Sequence, residues 1–165
     1  VVLGYSYTKR FTPLCHLVLG LGLSLAPIGA YLAVTGKFNL LPLFYSLVVL
    51  FWVSGFDIIY ALQDEEFDKV NKLKSIPVLL GKKNALVLSR ALHIISASVI
   101  LFAGMLTNFG LWYWIGSTIF IALLIYQHTL VKHNNLDKVN LAFFTTNGFA
   151  SVLFGIFFLL ELFAG

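Results

Sequence analysis

The run Gly55-Phe56-Asp57-Ile58-Ile59-Tyr60-Ala61-Leu62-Gln63-Asp64-Glu65-Glu66-Phe67-Asp68 follows without a break from an apolar segment that opens at Leu40. In lipid a backbone must satisfy its own hydrogen bonds, so an apolar segment of this length reads as a helix or a barrel strand. Alternation of period two is absent, which argues against a barrel. Continued as a helix past Phe56, the run brings Asp57, Asp64 and Asp68 within about 40° of one another, with Tyr60 about 60° to one side. Three carboxylates thus make a stripe that starts at bilayer depth. Acids at that depth are costly and rare, and they signal function by default.

Further apolar runs lie on both sides of this one. Spans are expected over residues 13–34, 40–56 with a charged extension, 84–106, 111–131 and 141–163, with a polar connector over 65–83. Each run is close to the roughly 20 residues that cross a bilayer. Composition agrees: 59% of the 165 residues are hydrophobic and 11% are charged, against roughly 25% in soluble domains. The fold class expected is all-α, a polytopic transmembrane bundle of five membrane helices forming a single membrane-embedded domain over 1–165.

Loop charges test this count. Lys9, Arg10, Lys69, Lys72, Lys74, Lys82, Lys83, Lys132 and Lys138, with Arg90 just inside its helix, fall on one side; Lys37 alone falls on the other. Positive residues mark the cytoplasmic face. The acid stripe therefore opens toward the cytoplasm, and topology accounts for the net charge of +4. No basic stripe interleaved with aromatic residues suggests nucleic acid.

Three acids on one face call for cations. Mg²⁺ suits them, because it takes one or two carboxylates, keeps waters and accepts substrate phosphates. Lys74, in Lys74-Ser75-Ile76-Pro77-Val78-Leu79-Leu80-Gly81, is placed to offer an ammonium to a phosphate oxygen, whereas Lys69, Lys82 and Lys83 read as loop charge. Pro77 and Gly81 read as a stiff break and the end of a short helical turn. The stretch Tyr5-Ser6-Tyr7-Thr8-Lys9-Arg10 lies on the same side. The four histidines share no metal-ligand spacing, and Cys15, the single cysteine, reads as a packing residue. Gly22 with Ala26, Ser151 with Gly155, and Ser96-Ala97-Ser98 read as close-packing positions between helices. Trp112 and Trp114 suit a membrane interface.

Asp57-x-x-Tyr60-Ala61-x-x-Asp64-x-x-x-Asp68 followed by Lys74-Ser75-Ile76-Pro77 resembles the second Asp-rich motif of the UbiA superfamily of membrane prenyltransferases, most like its 4-hydroxybenzoate polyprenyltransferase branch. Tyr5 to Thr12 is similar to that branch's Tyr- and Lys-Arg-bearing stretch, and Ala142-Phe143-Phe144 to Asn147 resembles its last helix entrance. The resemblance implies that this chain holds the last five of nine helices, with the helices before them missing. The family's first Asp-rich motif is not found here, and the chain begins Val1-Val2-Leu3 without Met. The true amino terminus is therefore expected upstream, and the 165 residues alone are expected to be inactive.

The same resemblance implies an Mg²⁺-dependent transfer of a polyprenyl group from its diphosphate to an aromatic acceptor in quinone biosynthesis. It implies Asp64 and Asp68 as metal ligands, and Asp57 as a third ligand or a residue near the acceptor. Lys9, Arg10 and Lys74 would grip the diphosphate, with Tyr5, Tyr60 and Asn147 also at the substrates. The setting implied is the inner, cytoplasmic membrane of a bacterium, with the active site on the cytoplasmic face. A transporter or channel using the acids as an ion site is the alternative. It would want polar groups across the bilayer, and Glu161 is the only acid near the far side.

Overall fold

In a computed structural model, residues 5–164 are described, and their named elements are all helical. A short α1 (Tyr5–Thr8) leads into α2 (Cys15–Thr35), α3 (Leu40–Ala61), a 3-10 turn (Leu62–Asp64) and α4 (Glu65–Val70). Then come α5 (Ile76–Thr107), α6 (Leu111–Leu130), a π turn (Leu141–Thr146) and α7 (Asn147–Ala164). The five long helices α2, α3, α5, α6 and α7 match the five expected spans. Four segments are long and apolar enough to cross a membrane: Cys15–Thr35, Leu40–Val70, Ile76–Thr107 and Leu141–Ala164. The fifth helix, α6, has 20 residues; Trp112, Tyr113, Trp114, Gln127 and His128 dilute its apolar character. The chain is an integral membrane protein.

Helix ends follow local chemistry. Asn39 caps α3 by accepting the Leu41 amide at 2.9 Å, which satisfies a donor left open at a helix start. Gly36 ends α2 at φ 63°, a left-handed conformation suited to glycine. Gly81, at φ 76° and ψ 159°, breaks the first turn of α5 from its long remainder, as the Pro77–Gly81 reading expects. On α7, Glu161 accepts from the Gly110 and Tyr113 amides at 2.5 and 3.3 Å. That acid therefore caps α6, whose open N–H groups favour a negative charge.

The central helix is α3, packed between α2 and α5, while α6 pairs with α7. Lipid is as apolar as leucine, so close van der Waals contact must hold such helices together. Two cores supply it. One, near the acidic end, includes Ile58, Ile59, Leu62, Ile76, Leu86 and Val139. The other joins α3, α5, α6 and α7 through Val48, Ile100, Tyr113, Phe120 and Ala150.

The closest approaches differ from those read in the sequence. A Cβ at Gly20 would meet Ser54 and the Leu50 backbone, and one at Gly55 would meet the His93 ring. Gly155 has nothing within 4 Å, and Ala26 is exposed. Ser96 does serve packing: it is buried and donates to the Val48 carbonyl at 3.0 Å.

Candidate active site at the acidic end of the bundle

A cavity of about 260 Å³ opens where α2 and α3 meet, lined by Lys9, Cys15, His16, Asp57, Tyr60, Ala61 and Asp64. Two of the three expected acids therefore share it. Asp57 sits in the last turns of α3, and Asp64 closes the 3-10 turn that follows. Asp64 makes no capping bond to α4. Its carboxylate makes no ion pair among the described residues.

Asp68 departs from the expected stripe. A 3-10 turn advances about 20° more per residue than an α-helix, so Leu62–Asp64 turns everything beyond it by roughly 60°. Asp68 is 1% exposed and accepts both of its bonds from Lys9 Nζ, at 3.1 and 3.3 Å. It reaches the cavity wall only through that lysine.

His16 is the residue that sequence reasoning missed. Its Nδ1 lies 2.6 Å from Asp57 Oδ2, and its Nε2 accepts from the Ile76 amide at 3.4 Å. Facing a carboxylate, Nδ1 is the donating nitrogen. The ring is 1% exposed and ties the starts of α2 and α5 to the end of α3. A histidine spaced 41 residues from its acid carries no local signal.

The amino-terminal strap and the connector are laced together over this end. The Lys74 amide donates to the Lys9 carbonyl at 2.6 Å, and Lys74 Nζ to the Phe11 carbonyl at 3.2 Å. Cys15 Sγ reaches the Lys74 carbonyl at 3.8 Å. Lys74 itself is exposed and does not line the cavity. Neither does Arg10, which is exposed and lies 5.7 Å from the Tyr7 ring centre. Tyr5 opens α1, but its side chain lies outside the described residues.

Asn147 is buried away from the cavity with both ends of its amide engaged. Oδ1 accepts from Trp52 Nε1 at 3.2 Å, and Nδ2 donates to the Phe143 carbonyl at 2.8 Å. The π turn before it sets Phe143 against Tyr60, with ring centres 4.3 Å apart. Aromatic contacts continue from Phe143 to Phe56 and from Phe56 to Trp52. Trp52 lines a larger apolar cavity of about 710 Å³ with Pro27, Tyr45, Val49, Phe154 and Phe158.

A membrane helical bundle carrying a carboxylate cavity at one end is the class that fold and site define. The chain belongs to the UbiA prenyltransferase family, whose model matches residues 1–159. It is 29% identical over 150 residues to a 4-hydroxybenzoate octaprenyltransferase of Aeromonas salmonicida, covering 91% of this chain and 52% of that protein. It is 31% identical over 153 residues to the Pseudoalteromonas translucida protein of the same name, covering 85% of this chain and 51% of that one. Among solved structures it resembles the apo form of a UbiA homolog from Aeropyrum pernix K1, with a TM-score of 0.86 and 28% identity over 97% of this chain and 60% of that one. The chain spans about half the length of the curated relatives it matches.

Proposed function

We propose that the protein to which this chain contributes transfers a polyprenyl group from its diphosphate to an aromatic acceptor such as 4-hydroxybenzoate, in quinone biosynthesis. The observation that carries this reading is the convergence of Asp57 and Asp64 on one cavity, in a chain of a prenyltransferase family similar to proteins named for that reaction.

The donor set fits Mg²⁺. Asp64 presents a carboxylate free of capping, and Asp57 keeps one oxygen free while His16 holds the other. Two carboxylates are what Mg²⁺ usually takes from protein, the remaining positions going to water and substrate phosphates. Among the described residues no group of three or more His, Cys, Asp or Glu is placed to hold a metal. The other ligands would come from the diphosphate and from parts of the whole protein outside this chain. When bound, the metal supplies positive charge against the departing diphosphate.

The chain's own groups have definable tasks. His16 fixes the rotamer of Asp57, and Lys9 neutralises Asp68 while keeping its ammonium at the cavity wall. Tyr60 offers a ring face where the allylic carbon loses its C–O bond and gains a bond to a ring carbon of the acceptor, which then loses its proton. The apolar cavity beyond Trp52 suits a prenyl chain, and its walls keep water from the cationic intermediate. With ten of eleven cations on the side of this site, we place it at the cytoplasmic face of a bacterial inner membrane.

The transport reading gains nothing from the bundle interior. Ser54, Ser89 and Ser96 spend their hydroxyls on the carbonyls of Leu50, Gly55 and Val48, at 2.7, 2.7 and 3.0 Å. Those three hydroxyls are thereby taken up within the bundle. The test is the whole protein in vesicles with polyprenyl diphosphate and 4-hydroxybenzoate. A C-prenylated acid that forms with Mg²⁺ and not with EDTA supports the proposal. Ion flux without any prenylated product would favour the rival.

A further inference from the structure

Away from the acidic cavity, α5 and α6 leave between them a groove of about 530 Å³ walled by Ile94, Leu101, Ile121 and Ile125. Ile94 and Ile125 are more than three-fifths exposed, so the groove is open along this face of the chain. A second cavity of about 340 Å³ is lined by Lys83, Lys132, His133 and Asn134, where α5 begins and α6 ends. Arg90 lines both cavities. An apolar slot and a basic pocket thus meet at one guanidinium.

Among the described residues no carboxylate is paired with the cations of this pocket. The ion pairs among the described residues join Lys9 to Asp68, His16 to Asp57, and Lys69 and Lys82 to Glu65. Lys83, Arg90 and Lys132 are in none of them. Three cations around one small cavity repel each other, and the repulsion grows where the bilayer limits screening. An anion relieves it. A free anion would leave the adjoining groove bare, whereas an amphiphile with an anionic head fills both parts. Basic pockets between membrane helices are the setting in which phospholipid head groups are held.

We propose that the α5–α6 face seats an anionic phospholipid, its phosphate among Lys83, Arg90 and Lys132 and an acyl chain along Ile94, Leu101, Ile121 and Ile125. The lipid sits on the outside of the bundle, at the end where the acidic cavity lies. It is not a substrate, and its binding does not depend on the prenyl-transfer reading. A bound head group would tie the start of α5 to the end of α6, a seam with little helix-to-helix contact of its own.

The test uses the full-length protein in detergent, with phosphatidylglycerol as the anionic probe and phosphatidylcholine as the neutral one. Native mass spectrometry reads bound lipid, and the melting temperature reads its effect. Wild type should retain phosphatidylglycerol preferentially and melt higher with it. Arg90→Gln should weaken retention about fivefold, and Arg90→Gln with Lys132→Gln about twenty-five-fold, one factor for each charge removed. Both residues are exposed, so these changes leave the core intact. Ile94→Trp, which fills the groove and spares the charges, should also lower retention. Equal retention of the two lipids would overturn the proposal, as would undiminished phosphatidylglycerol binding in the double variant. Displacement of the lipid by millimolar inorganic phosphate would also overturn it, making this a site for free anions.

Discussion

His16 Nδ1 stands 2.6 Å from Asp57 Oδ2, and the opposite nitrogen of the same ring accepts the Ile76 amide at 3.4 Å. One buried imidazole therefore sets the rotamer of a cavity acid and anchors the start of the helix after the connector. Groups that hold a metal-binding side chain in place typically contribute ten- to a hundredfold to metal affinity or activity. His16→Ala in the full-length protein should raise the Mg²⁺ concentration needed for half-maximal prenyl transfer by about that factor. His16→Gln can still donate to Asp57 and should recover part of the loss. An Mg²⁺ titration of the three proteins checks this, and identical curves would contradict it.

The Lys9–Asp68 pair makes a separate prediction. Asp68 is 1% exposed and Lys9 30%, so removing the lysine strands a buried carboxylate. Lys9→Met should destabilise the folded protein by about 1–3 kcal/mol, less than a fully buried pair because Lys9 is partly solvated. Adding Asp68→Asn should return part of that loss. Thermal unfolding in detergent of the single and double variants gives the coupling, and strict additivity would show that the pair is not felt.

Packing gives a third. Gly55→Ala would drive a methyl into the His93 ring and disturb the 2.9 Å contact between His93 Nδ1 and His128 Nε2. Overpacking of this kind costs about 1–3 kcal/mol. Gly155→Ala, with open space around it, should be neutral or mildly stabilising. Melting temperatures of the two variants should differ in that order; the reverse order would mean that the α3–α5 contact is looser than described.

The comparison of Gly55 with Gly155 also shows where sequence reasoning stops. Spacing of small residues marks a smooth helix face, but whether a neighbour or lipid lies against that face is a tertiary fact. Five helices were legible, because apolar runs of spanning length and a ten-to-one charge asymmetry leave few other readings. The break at Pro77–Gly81 was legible too, since both residues restrict or free the backbone locally. The Asp run identified the site, yet its angular phase assumed one continuous helix. The 3-10 turn at Leu62–Asp64 altered that phase, and so Asp68 meets Lys9 while Asp57 and Asp64 meet the cavity. Lys74 is suggested by its place beside the acid run, and Arg10 and Asn147 by the family resemblance. Their side chains instead go to Phe11, to Tyr7, and to Trp52 with Phe143. The His16–Asp57 and His93–His128 pairs span 41 and 35 residues, distances at which no periodicity operates.

Two cavity carboxylates do not complete a metal–diphosphate site, so the 165-residue chain on its own is expected to show no prenyl transfer. Incubating it with polyprenyl diphosphate, 4-hydroxybenzoate and Mg²⁺ should leave both substrates unchanged. Product formation by this chain alone would mean that its two cavity carboxylates suffice.

The most direct test of the account is Asp64→Asn in the full-length protein, assayed for prenylated 4-hydroxybenzoate across a range of Mg²⁺. The substitution keeps the shape of the side chain and removes its charge. Product should fall by about a hundredfold or more, as expected when a ligand is lost from the metal that offsets the departing charge, while the melting temperature stays near that of wild type because Asp64 makes no capping bond. Wild-type turnover with an unchanged Mg²⁺ dependence would contradict the claim that this cavity holds the metal-bound diphosphate.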